Sequence, residues 1–492
     1  MRNPILLLSC LIFFGCSVEK KETVNLLECV PQNTLAVFQV NDQNMLRSAL
    51  SNLPFIEPIF ELNDDFYNEI KAVLPESFPP NALLCINPEG KAALAASFIY
   101  KALPSDSLTQ LDNSNEFFTY NSIPIQVEEE GTLKIFKARV KDIYLISSSQ
   151  LVLENSIRNV QDQKKGIQDN RFFQLADVSD PNAPLNLYLH HDVRELMDRF
   201  FPKTELFPFL GSTWFSFDFN TKKDPFTLDG VSFINDSIPD KLTFLKGLEP
   251  QPLLSPDCVP QSFDSYLALA VGDYKSLEAN FKKYSRYKNI ALSEINFDAL
   301  SGVNEIAWLK TKLNKALYFH ITNSDAIPPF LFSDQTPEDS YRGISISQVN
   351  FPKDLLYFLE AFGAAFNPNY VALVEDFLIY TQDKAYLKQL IGSYLDGNTL
   401  AQNFNFKSLQ EDLADRSTFL WVGNTVNLKN QWKENLPEKE AEWDSVKLKE
   451  YPLVALQGIA EARFVQSRFT AQRDNPKQQK NSVVSQYSFT LD

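Results

Sequence analysis

Short apolar runs alternate with polar, helix-like stretches along most of this chain. Thr34-Leu-Ala-Val-Phe-Gln-Val40 runs into Asn41-Asp42, Asp142-Ile-Tyr-Leu-Ile146 into Ser149, and Leu187-Tyr188-Leu189 into Asp192. Asn, Asp and Ser favour helix N-caps, because a side-chain oxygen can accept from amides left unpaired in the first turn. Each junction therefore predicts a strand followed by a capped helix. Asp192 has Glu195 three residues on, resembling a capping box with Asp in the cap position. Asn63-Asp64-Asp65 predicts another helix start. Between these units lie alternating strands. Ile123-Pro-Ile-Gln-Val127 and Thr132-Leu-Lys-Ile-Phe136 flank Glu128-Glu129-Glu130-Gly131, which predicts a hairpin with a solvated tip and one wet sheet face.

The same pattern returns. Cys29-Val30-Pro31-Gln32 recurs as Cys258-Val259-Pro260-Gln261, and five blocks follow each copy in the same order. Thr34–Val40 matches Tyr266–Val271, which leads into Gly272-Asp273. Leu83–Ile86 and Ala95–Tyr100 match Ile306–Leu309 and Ala316–Ile321. Asp142–Ile146 with Ser149 matches Asp376–Tyr380 with Asp383. Leu187–Leu189 matches Leu420–Val422, with Thr425 in the cap position. Trp214–Phe219 and Phe226–Ile234 match Arg463–Phe469 and Ser482–Leu491 as a closing hairpin. The spacing is about 230 residues, far longer than a solenoid unit of about 20–50 residues. It is long enough for a domain with its own core.

The expected fold is α+β: two tandem copies of a mostly antiparallel sheet with helices packed on one face. Copy one spans 28–247 and copy two 257–492. Between them, 248–256 is a linker with three prolines, Pro250, Pro252 and Pro256, and is expected to be extended.

The first residues read differently. Arg2 is followed by the mainly apolar run Ile5–Phe14, of signal-peptide length and too short to cross a bilayer as a mature helix. The run closes Phe13-Phe14-Gly15-Cys16, and a small residue directly before a cysteine resembles a bacterial lipoprotein signal. Leu8-Ser9-Cys10 is a second candidate with a very short run before it. The resemblance implies that 1–15 is removed, that Cys16 is acylated, and that the chain meets a membrane through that lipid. Ser17, rather than Asp, implies the outer membrane in lipoproteins of two-membrane bacteria. Residues 16–27, with Glu19-Lys20-Lys21-Glu22, form a tether. An ordinary secretory signal with an incidental cysteine is the alternative.

Composition narrows the function. The formal net charge of −16 over 492 residues repels phosphate backbones, which argues against nucleic acid as a partner. A 44% hydrophobic content with 40 Phe argues for folded cores. Cys29, Cys85 and Cys258 remain in a compartment that permits disulfides. A Cys29–Cys258 bond would staple the copies, Cys29–Cys85 would lie within copy one, and three reduced thiols are the third reading. These cysteines lack the spacing of a zinc site.

No stretch carries recognised catalytic, metal or cofactor chemistry. His190-His191-Asp192 is the most enzyme-like string, fit in principle for a general base with its carboxylate or for two metal ligands. Copy two has Gly423-Asn424-Thr425 there, so the shared property is helix initiation. His320 sits in a strand pattern. Ser147-Ser148-Ser149 lacks the flanking glycines of a nucleophile elbow. With 15 Gly in all, there is no phosphate loop and no dinucleotide fingerprint, hence no cofactor. Trp214, Trp421, Phe117, Phe118 and Tyr120 could stack on sugars if exposed, but Trp214 and Trp421 are expected in cores.

Val30-Pro31-Gln32-Asn33-Thr34, ahead of the strand Leu35-Ala36-Val37, resembles a domain-of-unknown-function family of bacterial envelope proteins. Its repeats open with Leu-Pro-x-Asp-Thr. Pro31 and Thr34 keep the pattern, Val30 and Asn33 depart from it, and copy two keeps only Pro260. The resemblance implies an envelope location and supplies no active site. The function expected is a lipid-anchored envelope protein with a non-catalytic binding or assembly role and an envelope protein or glycan as partner. The alternative is an anchored hydrolase using carboxylates on glycan or peptide.

Overall fold

The apolar runs picked out between Thr34 and Phe469 all fall in strands of one sheet. In this computed structural model the described residues are 25–474, apart from 54–57, 59–63, 91–92, 107–115, 163–165, 194–212, 221–224, 291–296, 324–336, 352, 361, 363–366 and 436–439. The signal, Cys16, most of the tether, Glu195 and Ser482–Leu491 therefore lie outside the described residues.

The N-terminal half supplies β1 (Ala36–Val40), β2 (Ala82–Glu89), β3 (Ala93–Lys101), β4 (Glu116–Tyr120), β5 (Ile123–Glu130), β6 (Leu133–Val140), β7 (Ile143–Ser147), β8 (Leu185–His190), β9 (Trp214–Asn220) and β10 (Phe226–Phe233). The C-terminal half supplies β11 (Ser265–Ala270), β12 (Val303–Lys310), β13 (Lys315–Ile321), β14 (Asp339–Tyr341), β15 (Ile344–Gln348), β16 (Tyr370–Val374), β17 (Phe377–Thr381), β18 (Phe419–Asn424), β19 (Leu453–Ala460) and β20 (Phe464–Ala471). Across the sheet the order is β4-β5-β6-β7-β3-β2-β1-β8-β9-β10, then β20-β19-β18-β11-β12-β13-β17-β16-β15-β14, with every neighbouring pair antiparallel. The halves join through β10 and β20, in register from Phe226 opposite Ala471 to Phe233 opposite Phe464.

The helices are α1 (Gln43–Ser51), α2 (Asp64–Val73), α3 (Gln150–Gln161), α4 (Asn170–Val178), α5 (Lys241–Leu245), α6 (Tyr274–Tyr287), α7 (Lys353–Glu360), α8 (Lys384–Leu395), α9 (Phe404–Gln410), α10 (Thr425–Asn435) and α11 (Glu440–Ser445). Four of the strand-to-helix junctions are capped as their residues predict, while the helix expected after Asp192 falls on residues 194–212, outside the described residues. Asp42 accepts from Met45 N (2.8 Å), Ser149 from Val152 N (3.5 Å), Asp273 from Ser276 N (3.0 Å) and Asp383 from Tyr386 N (2.8 Å). One cap shifts. Asn424, not Thr425, accepts from Asn427 N (3.1 Å), while the Thr425 hydroxyl donates to Tyr451 O (2.6 Å).

Helices cover both faces of the sheet, which corrects the one-sided packing expected from sequence. Along β7, Ile143 and Leu145 pack with Leu153 of α3 and Phe172 of α4, while Tyr144 and Ile146 share the opposite core with Val73 of α2. Along β12, Ala307 and Leu309 face α8 and α9, whereas Ile306 and Trp308 face α6 and α7. Residues 94–100 of β3 are buried without a break, as expected of a strand covered on both sides rather than half-wetted. The phenylalanines fill these layers: Phe281 lies 5.4 Å from Phe358 and 5.8 Å from Phe297, ring centre to ring centre.

The closing hairpin also needs correction. The hairpin partner of Phe464–Ala471 is Leu453–Ala460, a strand the sequence reading passed over. The linker does run extended, Gln251 bridging to Ser417, and then tightens into a 3-10 turn at Ser255–Asp257. Among the described residues no helix is long and apolar enough to cross a membrane.

Candidate functional site

A cleft of about 820 Å³ lies in the C-terminal half. Five separate segments build it: the approach to β11 at Pro260–Asp264, the β12–β13 turn at Thr311–Asn314, α8, α10 and the first residue of α11, Glu440. The turn closes on itself, Thr311 N donating to Asn314 O (2.8 Å) and Asn314 N to Thr311 Oγ1 (3.0 Å). Leu313 is thereby left 86% exposed at the tip.

Asp264 is the buried carboxylate of the cleft, 5% exposed. Its backbone is held between strands, N donating to Lys310 O (2.8 Å) and O accepting from Asn424 N (2.9 Å). Its side chain accepts from Gln431 Nε2 (2.5 Å). Burial raises the carboxyl's pKa above the usual range, against the side chains of Asn427 and Gln431 and the charge of Lys310, which lower it. The Tyr386 hydroxyl is buried beside Thr311, and burial pushes its pKa up to about 12 against the Thr311 hydroxyl, which lowers it. At the rim Lys312 pairs with Glu434 (2.6 Å), and Lys433 with Asp444 (2.9 Å) and Glu440 (3.2 Å). The cleft thus offers uncharged amides and hydroxyls within a rim whose charged side chains are ion-paired.

Glu305 is a second buried acid, 1% exposed, at the bulge that opens β12. It accepts from Leu254 N (2.6 Å) and Ser255 N (3.1 Å), and from the Ser255 hydroxyl, which also meets Tyr266 Oη (2.6 Å). Burial pushes its carboxyl up to about 7 despite those donors. Its partners are the linker itself, so Glu305 pins the linker to the sheet.

The residues singled out in the sequence fall elsewhere. His190, His191 and Asp192 close β8. His191 Nε2 lies 2.8 Å and His190 Nδ1 3.2 Å from the Asp192 carboxylate. His190 also packs edge-on to Trp214 (5.2 Å between ring centres). Its pKa is lowered by burial and by His191, with Asp192 opposing. His320 faces Asn304 Oδ1 (2.5 Å) and Phe377. Ser148 and Ser149 donate to Glu69 (2.7 Å) and Glu89 (2.5 Å), a structural role at the α3 cap. Glu128 and Glu129 pair with Lys137 and Lys134 along the β5–β6 hairpin. Trp214 and Trp421 are each 3% exposed, in cores.

Cys29, Cys85 and Cys258 are free and buried. Cys29 and Cys85 share one core and Cys258 occupies another. The Cys29–Cys258 staple is therefore not formed, because each thiol points into the interior of its own half. Burial pushes the Cys29 and Cys258 thiols up to about 12 and raises Cys85 as well.

The sequence reading missed the cleft and Glu305. Glu305 had a signal, a single acid within the apolar run Val303–Leu309. The cleft had none, being assembled from scattered Asn, Gln, Ser and Thr. No protein-family model matches the chain, and no curated protein matches its sequence. A solved structure described as "Structure of crystal form I of TP0453" is similar over 43% of this chain and 79% of its own, at 10% identity and a TM-score of 0.26.

Proposed function

We propose that this chain is a lipid-anchored protein of a bacterial cell envelope, held by acylated Cys16 to the outer membrane, with a non-catalytic binding role served by the cleft. The anchor rests on the run Ile5–Phe14 closing at Gly15-Cys16, with Ser17 after it. Two or more acyl chains make such attachment stable where one is marginal.

In this reading the body is one α+β unit built twice. The supporting relation is strand order: written from the sheet edge, β4-β5-β6-β7-β3-β2-β1-β8-β9-β10 has its counterpart in β14-β15-β16-β17-β13-β12-β11-β18-β19-β20. The two Cys-Val-Pro-Gln segments are also used alike. Pro31 bridges to Gly166 and Pro260 to Thr399, with Ile167 N donating to Val30 O and Leu400 N to Val259 O.

The observation that carries the binding role is the chemistry of the cleft. Its floor pairs Asp264 with Gln431, its walls present Asn314, Gln389 and Asn430, and its rim carboxylates are already closed by lysines. Such a surface matches an uncharged, hydroxyl-rich chain, so a glycan is the favoured ligand class. The hydrolase alternative needs a second carboxylate free to work opposite Asp264. Glu434 and Glu440 are instead ion-paired.

The test is binding of the purified chain to a panel of neutral envelope glycans, beside a Gln389→Ala/Asn430→Ala variant. Binding weakened about tenfold or more by the pair (roughly 1.4 kcal/mol) is expected. Binding unchanged in the variant, or none across the panel, removes the cleft reading. Turnover of any glycan would favour the hydrolase.

A further inference from the structure

We propose that His190, His191 and Asp192 form a binding site for a divalent transition-metal ion of zinc type. The matching position in the C-terminal half, Gly423-Asn424-Thr425, led the sequence comparison to helix initiation alone. The geometry adds what the string could not show. One imidazole nitrogen from each histidine and a carboxylate oxygen of Asp192 all lie within 4.8 Å of one another. The two nitrogens reach different oxygens of that carboxylate, at 2.8 and 3.2 Å. Donor atoms around a tetrahedral ion with bonds of about 2.0 Å sit roughly 3.3 Å apart, close to the two nitrogen–oxygen separations here.

The donor set selects the ion. Two imidazoles and one carboxylate suit zinc, cobalt, nickel or copper, whereas calcium and magnesium prefer all-oxygen shells. Three protein ligands leave a position for water or an outside donor.

The site is also pre-positioned. His190 N donates to Leu35 O (2.8 Å) and His191 N to Thr213 O (2.7 Å), which ties the backbone to both neighbouring segments. The His190 ring is braced edge-on by Trp214 and lies 4.3 Å from the His191 ring. The side chains of His191 and Asp192 are 45% and 52% exposed, so an ion can enter from solvent. A chain with net charge −16 favours a cation's approach.

The test uses the full chain purified without a histidine tag, stripped with chelator and titrated with zinc by calorimetry. Cobalt is run in parallel, because its visible spectrum reports coordination geometry. One site per chain is expected, with the unfolding midpoint rising as zinc is added. His191→Gln and Asp192→Asn change half-exposed groups that can be lost without emptying a core. Each is expected to weaken zinc by about tenfold or more, while His320→Gln leaves it unchanged. Zinc binding equal in parent and His191→Gln/Asp192→Asn double variant overturns the proposal. So does an absence of saturable binding at micromolar zinc in the parent.

Discussion

Asp229 and Arg468 stand directly opposite each other where the two halves of the sheet meet, Arg468 Nε donating to Asp229 Oδ1 at 2.6 Å. They are 239 residues apart in sequence, yet cross-strand neighbours at the join. Both side chains are more than 40% exposed, so solvent screens the pair and its worth is about 1 kcal/mol or less. Arg468→Ala is accordingly expected to move the urea midpoint only slightly. A large loss would mean that this ion pair, rather than the β10–β20 ladder, holds the halves together.

Close packing should matter more. A Cβ added at Gly458 on β19 would overlap the ring of Phe419 on β18. Phe419 is 1% exposed and lies in the large core, so it has little room to retreat. Gly458→Ala is expected to cost about 1–3 kcal/mol by equilibrium unfolding. A neutral effect would show that the core can rearrange around the ring.

Glu305 sets a pH dependence. Its folded pKa of about 7 lies above the ordinary 4.5, so the folded chain holds this proton more tightly than the unfolded one. The contribution to stability is fully present below pH 4.5 and is lost as pH rises through 7, a swing on the order of 3 kcal/mol. Other groups titrate in the same window, so the readout is the difference between the parent and Glu305→Gln. The parent should lose stability relative to the variant across that window. Parallel curves would show that the buried carboxylate is ionised throughout.

The thiols give a direct count. In folded protein Cys29, Cys85 and Cys258 are buried and their pKa values raised, so a thiol reagent in mildly alkaline buffer should react slowly. On unfolding without reductant, all three should react. Reaction of one alone would mean that two are joined in a disulfide.

Much of this architecture was legible because its strands carry continuous apolar runs and end on cap residues. Ile143–Ile146 into Ser149, and Phe377–Tyr380 into Asp383, could be read directly as strand and capped helix. The same runs held the clue to two-sided covering, since a strand with one wet face alternates and these do not. β19 was passed over because Gln457 and Gly458 interrupt its apolar pattern. Its turn to β20 is three residues long, and Arg463–Phe469, which from sequence reads as the first arm of a hairpin, completes one. The cleft could not be read at all. Asp264, Asn314, Gln389 and Gln431 are distant in sequence, and amide side chains look the same on any wet surface until the fold gathers them.

The anchor is the claim on which the cellular role depends, and Cys16 tests it. Cells producing the parent or Cys16→Ser are fed an alkyne fatty acid, then separated into membrane and soluble fractions. The account predicts a parent that is labelled and sediments with the outer membrane, and a variant that is unlabelled and soluble. A Cys16→Ser protein that is processed, labelled and membrane-bound like the parent would contradict it.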